Sequence, residues 1–510
     1  MSQKSRTYNS IVNSLVGIVS AILNVALNFF VRIAIVRALG EEINGLHSLF
    51  QNMINIMAVV ESSMCTAMII HLYGPIEHSD TDELNDILSL YHRIYVVLAI
   101  GFFAVATILN LFLDAFVTAS VPSLDMHVYF FVFTLSVVVN YLTYTYRIVL
   151  FAAQKNRISA MATLVAEIIF RGGAALTAIF LKSYTVFLLC FIGEKLLGNL
   201  ICRFYVRRTY SGISCRKKNA DQQMLRSTVM KTVKPLLVSR VADILQNSSQ
   251  SILISIFLGN IAIVGYYGNY TLVIGSVGLL FSQLGAAFTS SFGNLATKHD
   301  QARMFEAFKK SEFVMTSIAI VICSGFIVCI QDFISWVFGP NFLLKNSSMA
   351  ILAATMYITL LNIPAVSVQN ATGRHDADVR NMILQAICSI GLGSFGGAFF
   401  GMEGILIGML LPLFFFTTIC KNIIIQRSVF DRSIVAVLGD LAVSGLKGIC
   451  IFIMVASAAS YVALDSILLN ILIKGVIAIC ISTVGIFVLS LRNRFLWSTI
   501  HVIGNTIRKK

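Results

Sequence analysis

The sequence predicts an all-α polytopic membrane protein of about fourteen spanning helices. They form two parallel six-helix repeats, one per lobe, with an extra helix pair at the C-terminal end. Three observations predict this. The 510 residues are 57% apolar and only 12% charged, whereas a soluble chain carries roughly 45–50% apolar and about 25% charged residues. Apolar runs near the roughly 20 residues needed to cross a bilayer occupy most of the length. The basic residues fall on alternate connections. This composition excludes a water-soluble enzyme and a disordered chain.

In order, the spans are 11–31, 44–70, 92–113, 127–151, 158–181, 184–206, 235–258, 264–291, 312–338, 348–370, 380–399, 402–425, 437–463 and 467–490. Connections are short except near 71–91, 207–234 and 292–311. Lys4 and Arg6 precede the first run without a small-residue cleavage site, which predicts a retained first helix and not a signal peptide. With a cytoplasmic N-terminus, 29 of the 38 Lys and Arg fall on cytoplasmic segments. Four lie at outer ends (Arg32, Arg37, Lys182, Lys345) and five within spans (Arg171, Lys195, Arg240, Lys447, Lys474). That asymmetry places both termini in the cytoplasm of a multi-pass cell-membrane protein. The net charge of +14 is thereby topology, not a nucleic-acid signal, with anionic inner-leaflet lipid as its natural partner.

The chain repeats after 219 residues. Leu39-Gly40 falls on Leu258-Gly259, and Tyr73-Gly74-Pro75-Ile76 falls on Phe292-Gly293-Asn294-Leu295. Six spans return the chain to the same side, so the repeats are parallel about the membrane normal. The expected organisation is an N-terminal lobe (1–206), a basic cytoplasmic linker (207–234), a C-terminal lobe (235–425), and the extra helix pair with a cytoplasmic tail (426–510).

Polar groups in hydrocarbon are expensive, so their placement carries information. In the first span Asn13, Gly17, Ser20, Asn24, Asn28 and Arg32 recur every three or four residues, on one helical face. Ser48, Gln51, Asn55 and Ser62 do so in the second span, with Glu61 one position off the stripe. The seventh carries Arg240, Asp243, Asn247, Gln250 and Ser251; the eighth carries Tyr266, Asn269, Tyr270, Ser276 and Gln283. The stripes occupy the first helix pair of each repeat, where opposed faces would enclose a polar cavity. Interhelical hydrogen-bond glue is the competing reading. Asp243, three residues from Arg240, offers a structural partner for that cation. Glu167 and Arg171, at i and i+4, read as a structural ion pair. Glu194 and Lys195 are adjacent and are expected to point apart, Arg32 to snorkel or line the cavity, and Lys447 and Lys474 to snorkel or form a lateral feature.

Enzymatic and metal chemistry find no motif. There is no P-loop, HExxH, GxSxG, CxxC or acidic metal pair. Gly391-Leu-Gly393-Ser-Phe-Gly396 matches GxGxxG inside an apolar run and reads as close helix packing. The ten Cys read as small apolar residues and the eight His as surface residues. No cofactor or metal is expected; H+ or Na+ remains open as a coupling ion.

Residues 30–95 carry a recognisable pattern: Arg32-Ile-Ala-Ile, Leu39-Gly40-Glu41, Asn44-Gly45-Leu46, Leu49-Phe50, Asn52, Glu61, Leu72-Tyr73-Gly74-Pro75-Ile76, Tyr91 and Tyr95. It resembles bacterial Wzx-type polysaccharide flippases of the multidrug/oligosaccharidyl-lipid/polysaccharide exporter superfamily. Many relatives read Glu-Leu-Gly where this chain has Glu61-Ser62-Ser63, which changes the packing beside Glu61. The resemblance implies alternating-access transfer of undecaprenyl-diphosphate-linked oligosaccharide from the inner to the outer leaflet, for capsule, exopolysaccharide or O-antigen synthesis. It implies a lipid-linked glycan substrate, polymerase and glycosyltransferase partners, and a diphosphate contact at Arg240. The alternatives are a cation-coupled multidrug or small-molecule antiporter of the same superfamily, with Glu61 or Asp243 titrating, and a membrane glycosyltransferase or polymerase. The last class usually has a large external loop or a catalytic acidic motif, and neither is found here.

Overall fold

The computed structural model describes all residues except 1–2, 58–64, 66–67, 70, 73, 77, 79, 119–120, 154, 211, 214–247, 299, 375, 492–494, 496 and 498–510. Glu61, Arg240, Asp243, Asn247 and nearly all of the basic linker therefore lie outside the described residues. The described residues are helical, with no strand among them. Among the described residues, eleven stretches are long and apolar enough to cross a membrane. One of these, Asp378–Phe430, contains two of the expected spans, joined through Gly401 in the left-handed region (φ 63°). The second and seventh spans are described only in part, as Glu41–Met57 and Ser248–Leu258. Large apolar side chains lie exposed at mid-helix, Phe399 at 70% and Leu472 at 64%. Such surface suits lipid, since a soluble monomer rarely exposes extended apolar patches. The chain is a multi-pass membrane protein.

By contacts the chain divides into two compact units, Met1–Gly268 and Asn269–Lys510. In unit 1, α1 (Gln3–Leu39) ends at Gly40 (φ 92°) and α2 (Glu41–Met57) starts at once. Then follow α3 (Thr81–Leu111), the short α4 (Leu113–Phe116), α5 (Ser123–Thr143), α6 (Thr145–Ala152), α7 (Asn156–Leu181), α8 (Tyr184–Thr209) and α9 (Ser248–Leu258). The unit is built on α7 packed against α8 and α1, with α5 against α8 and α3. It also takes in the first two turns of α10 (Ile261–Thr297), because glycines let α10 lie directly on α2. A Cβ on Gly45 would meet the Ile261 carbonyl oxygen at 2.0 Å, and one on Gly265 would meet the Gly45 nitrogen at 2.9 Å.

Unit 2 continues α10 into α11 (Gln301–Val337), α12 (Asn346–Leu361), α13 (Ile363–Thr372), α14 (Asp376–Pro412), a π-helical stretch (Leu413–Cys420), α15 (Lys421–Phe430), α16 (Ile434–Ala459) and α17 (Ile467–Leu489). Its hub is α11, which packs on α12, α16 and α17. The extra pair, α16 and α17, is fastened to the C-terminal repeat chiefly through α11, and Tyr357 of α12 also donates to the Ser444 carbonyl of α16 at 2.9 Å.

The repeat is visible element by element. Gly259 (φ 57°) breaks the chain 219 residues after Gly40. Asp80 caps α3 by accepting from the backbone N–H of Asp82 and Glu83; Asp300 caps α11 by accepting from Arg303 N–H. The fourth span is broken at Tyr144 in the first repeat, and its counterpart at Asn362 in the second. Two polar stretches expected as connections, 71–91 and 292–311, are largely helical here. Helix α3 begins at Thr81, and α10 and α11 are separated by only three residues. Their amphipathic pattern and Asp caps extend the helices beyond the apolar runs.

Candidate functional site

The polar face of α1 does not stand alone. Asn24 Nδ2 donates to Glu167 Oε1 at 2.6 Å, and Asn28 Nδ2 donates to Asn24 Oδ1 at 2.8 Å. Arg171 Nη1 donates to Asn28 Oδ1 at 2.6 Å, and its Nη2 lies 3.1 Å from Glu167 Oε1. The expected Glu167–Arg171 pair is therefore present, inside a larger network. Arg171 Nε also donates to Glu194 Oε2 at 2.9 Å, and Lys195 Nζ donates to Glu194 Oε1 at 2.8 Å. This corrects the expectation that adjacent Glu194 and Lys195 would point apart, because the flexible lysine folds back onto its neighbour. Two carboxylates and two cations cancel, and the paired groups largely offset their desolvation. Glu167 and Glu194 are buried, Asn24, Asn28 and Arg171 are half-buried, and the Lys195 side chain is 35% exposed.

One turn further along α1, Arg32 Nη2 donates to Ser48 Oγ at 2.5 Å, and Ser48 Oγ donates to Asn44 O at 2.9 Å. Arg32 is buried, so it does not snorkel to an interface. Its guanidinium fills the space of a missing side chain, since a Cβ on Gly268 would meet Arg32 Nη2 at 2.1 Å. His47, expected at the surface, is buried in a ring of Phe133, Tyr184, Phe187 and Phe191, with Nδ1 3.0 Å from the Tyr184 hydroxyl. Its place on the inner face of α2 explains this: Leu46, Leu49 and Phe50 are fully buried beside it.

The α2 stripe separates into two faces. Ser48 and Asn52 are tied inward, Asn52 Nδ2 donating to Ser251 Oγ at 3.0 Å. Gln51 and Asn55, one turn apart, are exposed. Tyr267 donates to Gln250 and Tyr266 to Glu41, which ties the start of α10 to α9 and α2. Asn269 is fully buried, so in this conformation it is held within packing. Tyr270 donates to Gln331, whose Nε2 donates to the Leu344 carbonyl at 2.8 Å. Of the eleven cavity candidates, then, Gln51 and Asn55 are open; Asn24, Asn28, Arg32 and Gln250 are engaged with neighbours; Asn269 is enclosed. Glu61, Arg240, Asp243 and Asn247 lie outside the described residues.

Sequence reasoning missed one feature that the repeat carries. Asn199 Nδ2 donates to Thr143 Oγ1 at 2.7 Å in unit 1; Asn362 Nδ2 donates to Thr418 Oγ1 at 2.9 Å in unit 2. Thr143 and Asn362 are 219 residues apart, and so are Asn199 and Thr418. The same interhelical bond recurs with the amide and hydroxyl exchanged. Unit 2 adds a buried pair near the same end, Lys421 Nζ to Asp378 Oδ2 at 3.0 Å, with Gln369 and Asn381 also donating to Asp378. Among the described residues, no three His, Cys, Asp or Glu side chains are grouped to hold a metal ion. The GxGxxG match is packing: a Cβ on Gly396 would meet the Gly404 carbonyl oxygen at 2.1 Å.

No family model matches the chain, and no curated protein matches it by sequence. Solved structures do match by shape. The lipid II flippase MurJ, in an inward closed conformation, superposes with a TM-score of 0.65 at 13% identity over 94% of this chain and 99% of its own. An outward-facing multidrug resistance MATE family transporter of the MOP superfamily gives 0.58 at 12% identity, over 83% and 96%. A MOP superfamily transporter from Pyrococcus furiosus gives 0.57 at 13% identity, over 83% and 96%. This chain has the fold that these proteins share.

Proposed function

We propose that this chain is a flippase that moves undecaprenyl-diphosphate-linked oligosaccharide repeat units from the inner to the outer leaflet of the cytoplasmic membrane by alternating access. It would serve capsule, exopolysaccharide or O-antigen synthesis beside glycosyltransferases and a polymerase, not as an enzyme itself. The observation that carries this reading is coverage. The lipid II flippase fold accounts for 94% of the chain, whereas the multidrug transporter fold leaves over roughly the length of two membrane helices. A large amphiphilic substrate also fits the polar groups. Gln51 and Asn55 are exposed amides on a membrane helix, suited to sugar hydroxyls. Arg240 is our candidate for the diphosphate, as a delocalised cation with paired donors.

A cation-coupled multidrug or small-molecule antiporter is the second reading. It is favoured by the likeness to the outward-facing MATE transporter, at a TM-score of 0.58. In that case an H+ or Na+ gradient drives export, and Glu61 or Asp243 titrates. The two separate on Gln51 and Asn55. Each lost hydrogen bond is worth about 0.5–1.5 kcal/mol, so Gln51→Leu combined with Asn55→Leu is expected to cut glycan transfer about tenfold at unchanged membrane abundance. Undiminished surface polysaccharide in that double variant would remove both amides from the substrate path.

A further inference from the structure

Unit 2 contains a charged pocket that the transport reading does not use. It is a cavity of about 330 Å3 between α11, α16 and the end of α17. Most of its charge is internally balanced. Lys309 Nζ donates to Glu312 Oε2 at 2.5 Å and to Asp440 Oδ2 at 2.6 Å. Arg432 donates to Asp440 as well, and Gln426 Nε2 donates to Glu312 Oε1 at 3.4 Å. Two cations thus meet two carboxylates.

Lys447 is the excess cation. It lies in the middle of α16 and lines the cavity. Its Nζ donates to the neutral Ser490 Oγ at 3.2 Å, and among the described residues no carboxylate pairs with it. By contrast Lys474, the other lysine of the extra helix pair, meets Asp332 Oδ2 at 2.7 Å. An ammonium within a membrane-spanning helix is costly without a counter-charge. Ser490 accepts from Lys447, which leaves its own O–H to donate to a further acceptor. The pocket therefore offers one positive charge and one hydroxyl donor to an anion. Beside it, Val443, Leu446 and Ile449 on α16 are 51–62% exposed and give apolar surface against the bilayer.

We infer that this pocket holds the phosphodiester headgroup of a resident anionic phospholipid, distinct from the transported lipid. Lys447 and Ser490 contact the phosphate oxygens, and the acyl chains lie along the exposed side of α16. The bound lipid clamps the extra helix pair onto α11. Only lipid, and not free phosphate, uses both halves of this surface.

The test is thermal unfolding of the whole protein in phosphatidylcholine nanodiscs, with and without added phosphatidylglycerol. A ligand that binds only the folded form raises the melting temperature. Phosphatidylglycerol is expected to raise it by several degrees in the wild type and in Lys447→Arg. The rise should vanish in Lys447→Gln and persist in Lys345→Gln, a control lysine 80% exposed elsewhere in the unit. Should Lys447→Gln fail to assemble, Ser490→Ala keeps the charge and is expected to lose part of the rise; a full rise in Ser490→Ala overturns the site. A full rise in Lys447→Gln overturns it as well. An equal rise from inorganic phosphate in pure phosphatidylcholine makes it a free-anion site and overturns the lipid assignment.

Discussion

Arg171 shows what a largely buried charge demands of its neighbours. It is shared by Glu167, Glu194 and Asn28, from three different helices. Removing one partner of a buried ionic group costs about 3–5 kcal/mol, mostly because the other charge is left unpaired. Arg171→Met should therefore lower stability sharply, as measured by melting in detergent. Adding Glu167→Gln should recover part of the loss, since Glu194 keeps Lys195 at 2.8 Å. Equal melting of the single and double variants would show that Glu167 does not depend on Arg171. The i,i+4 spacing of Glu167 and Arg171 is local, so this pair is legible from sequence. Glu194 is 23 residues from Arg171, and nothing local indicates that α8 brings it there. His47 is misread for the same kind of reason, since its environment is made by α5 and α8 and not by its own helix.

Helices record the duplication more faithfully than individual residues do. The glycine breaks at Gly40 and Gly259 follow from sequence, because a residue with positive φ between two apolar runs is most easily glycine. The exchanged pairs Thr143–Asn199 and Asn362–Thr418 do not, since amide and hydroxyl swap places and no identity survives. Interhelical hydrogen bonds in membranes average about 0.6 kcal/mol by double-mutant cycle. Thr143→Val with Asn199→Leu, and Asn362→Leu with Thr418→Val, should each give a coupling of that size; zero coupling in both cycles would contradict a shared structural role. At the end of α3 a different tie operates. Ser123 Oγ donates to Asp114 Oδ1 at 2.9 Å, and His127 Nε2 lies 3.3 Å from Oδ2. These hydrogen bonds, that of Ser123 foremost, hold the Asp114 carboxyl below the usual carboxylate range. A lowered carboxyl contributes stability above its unfolded pKa and loses it as pH falls through the lowered value. Amide exchange in residues 113–123 should therefore quicken on acidification through that window in the wild type. It should quicken less in Ser123→Ala, and an identical acid response in the two would break the link.

At the scale of the whole molecule, composition and charge asymmetry carry the fold class, and the shape shared with MurJ and MATE transporters agrees with it. The motif over residues 30–95 is largely a packing motif, with Arg32, Asn44, Leu46, Leu49, Phe50, Tyr91 and Tyr95 all buried. It therefore speaks for architecture more than for substrate, and the flippase proposal rests on the open amides and on the fold's length. One measurement addresses the central claim directly. The purified protein is placed in liposomes with an undecaprenyl-diphosphate oligosaccharide whose sugar is trimmed by an externally added glycosidase. Inner-leaflet glycan is expected to become accessible with the protein present, and about tenfold more slowly in Gln51→Leu with Asn55→Leu. Glycan that stays protected, in vesicles that still extrude a cationic dye along an imposed ion gradient, would contradict it.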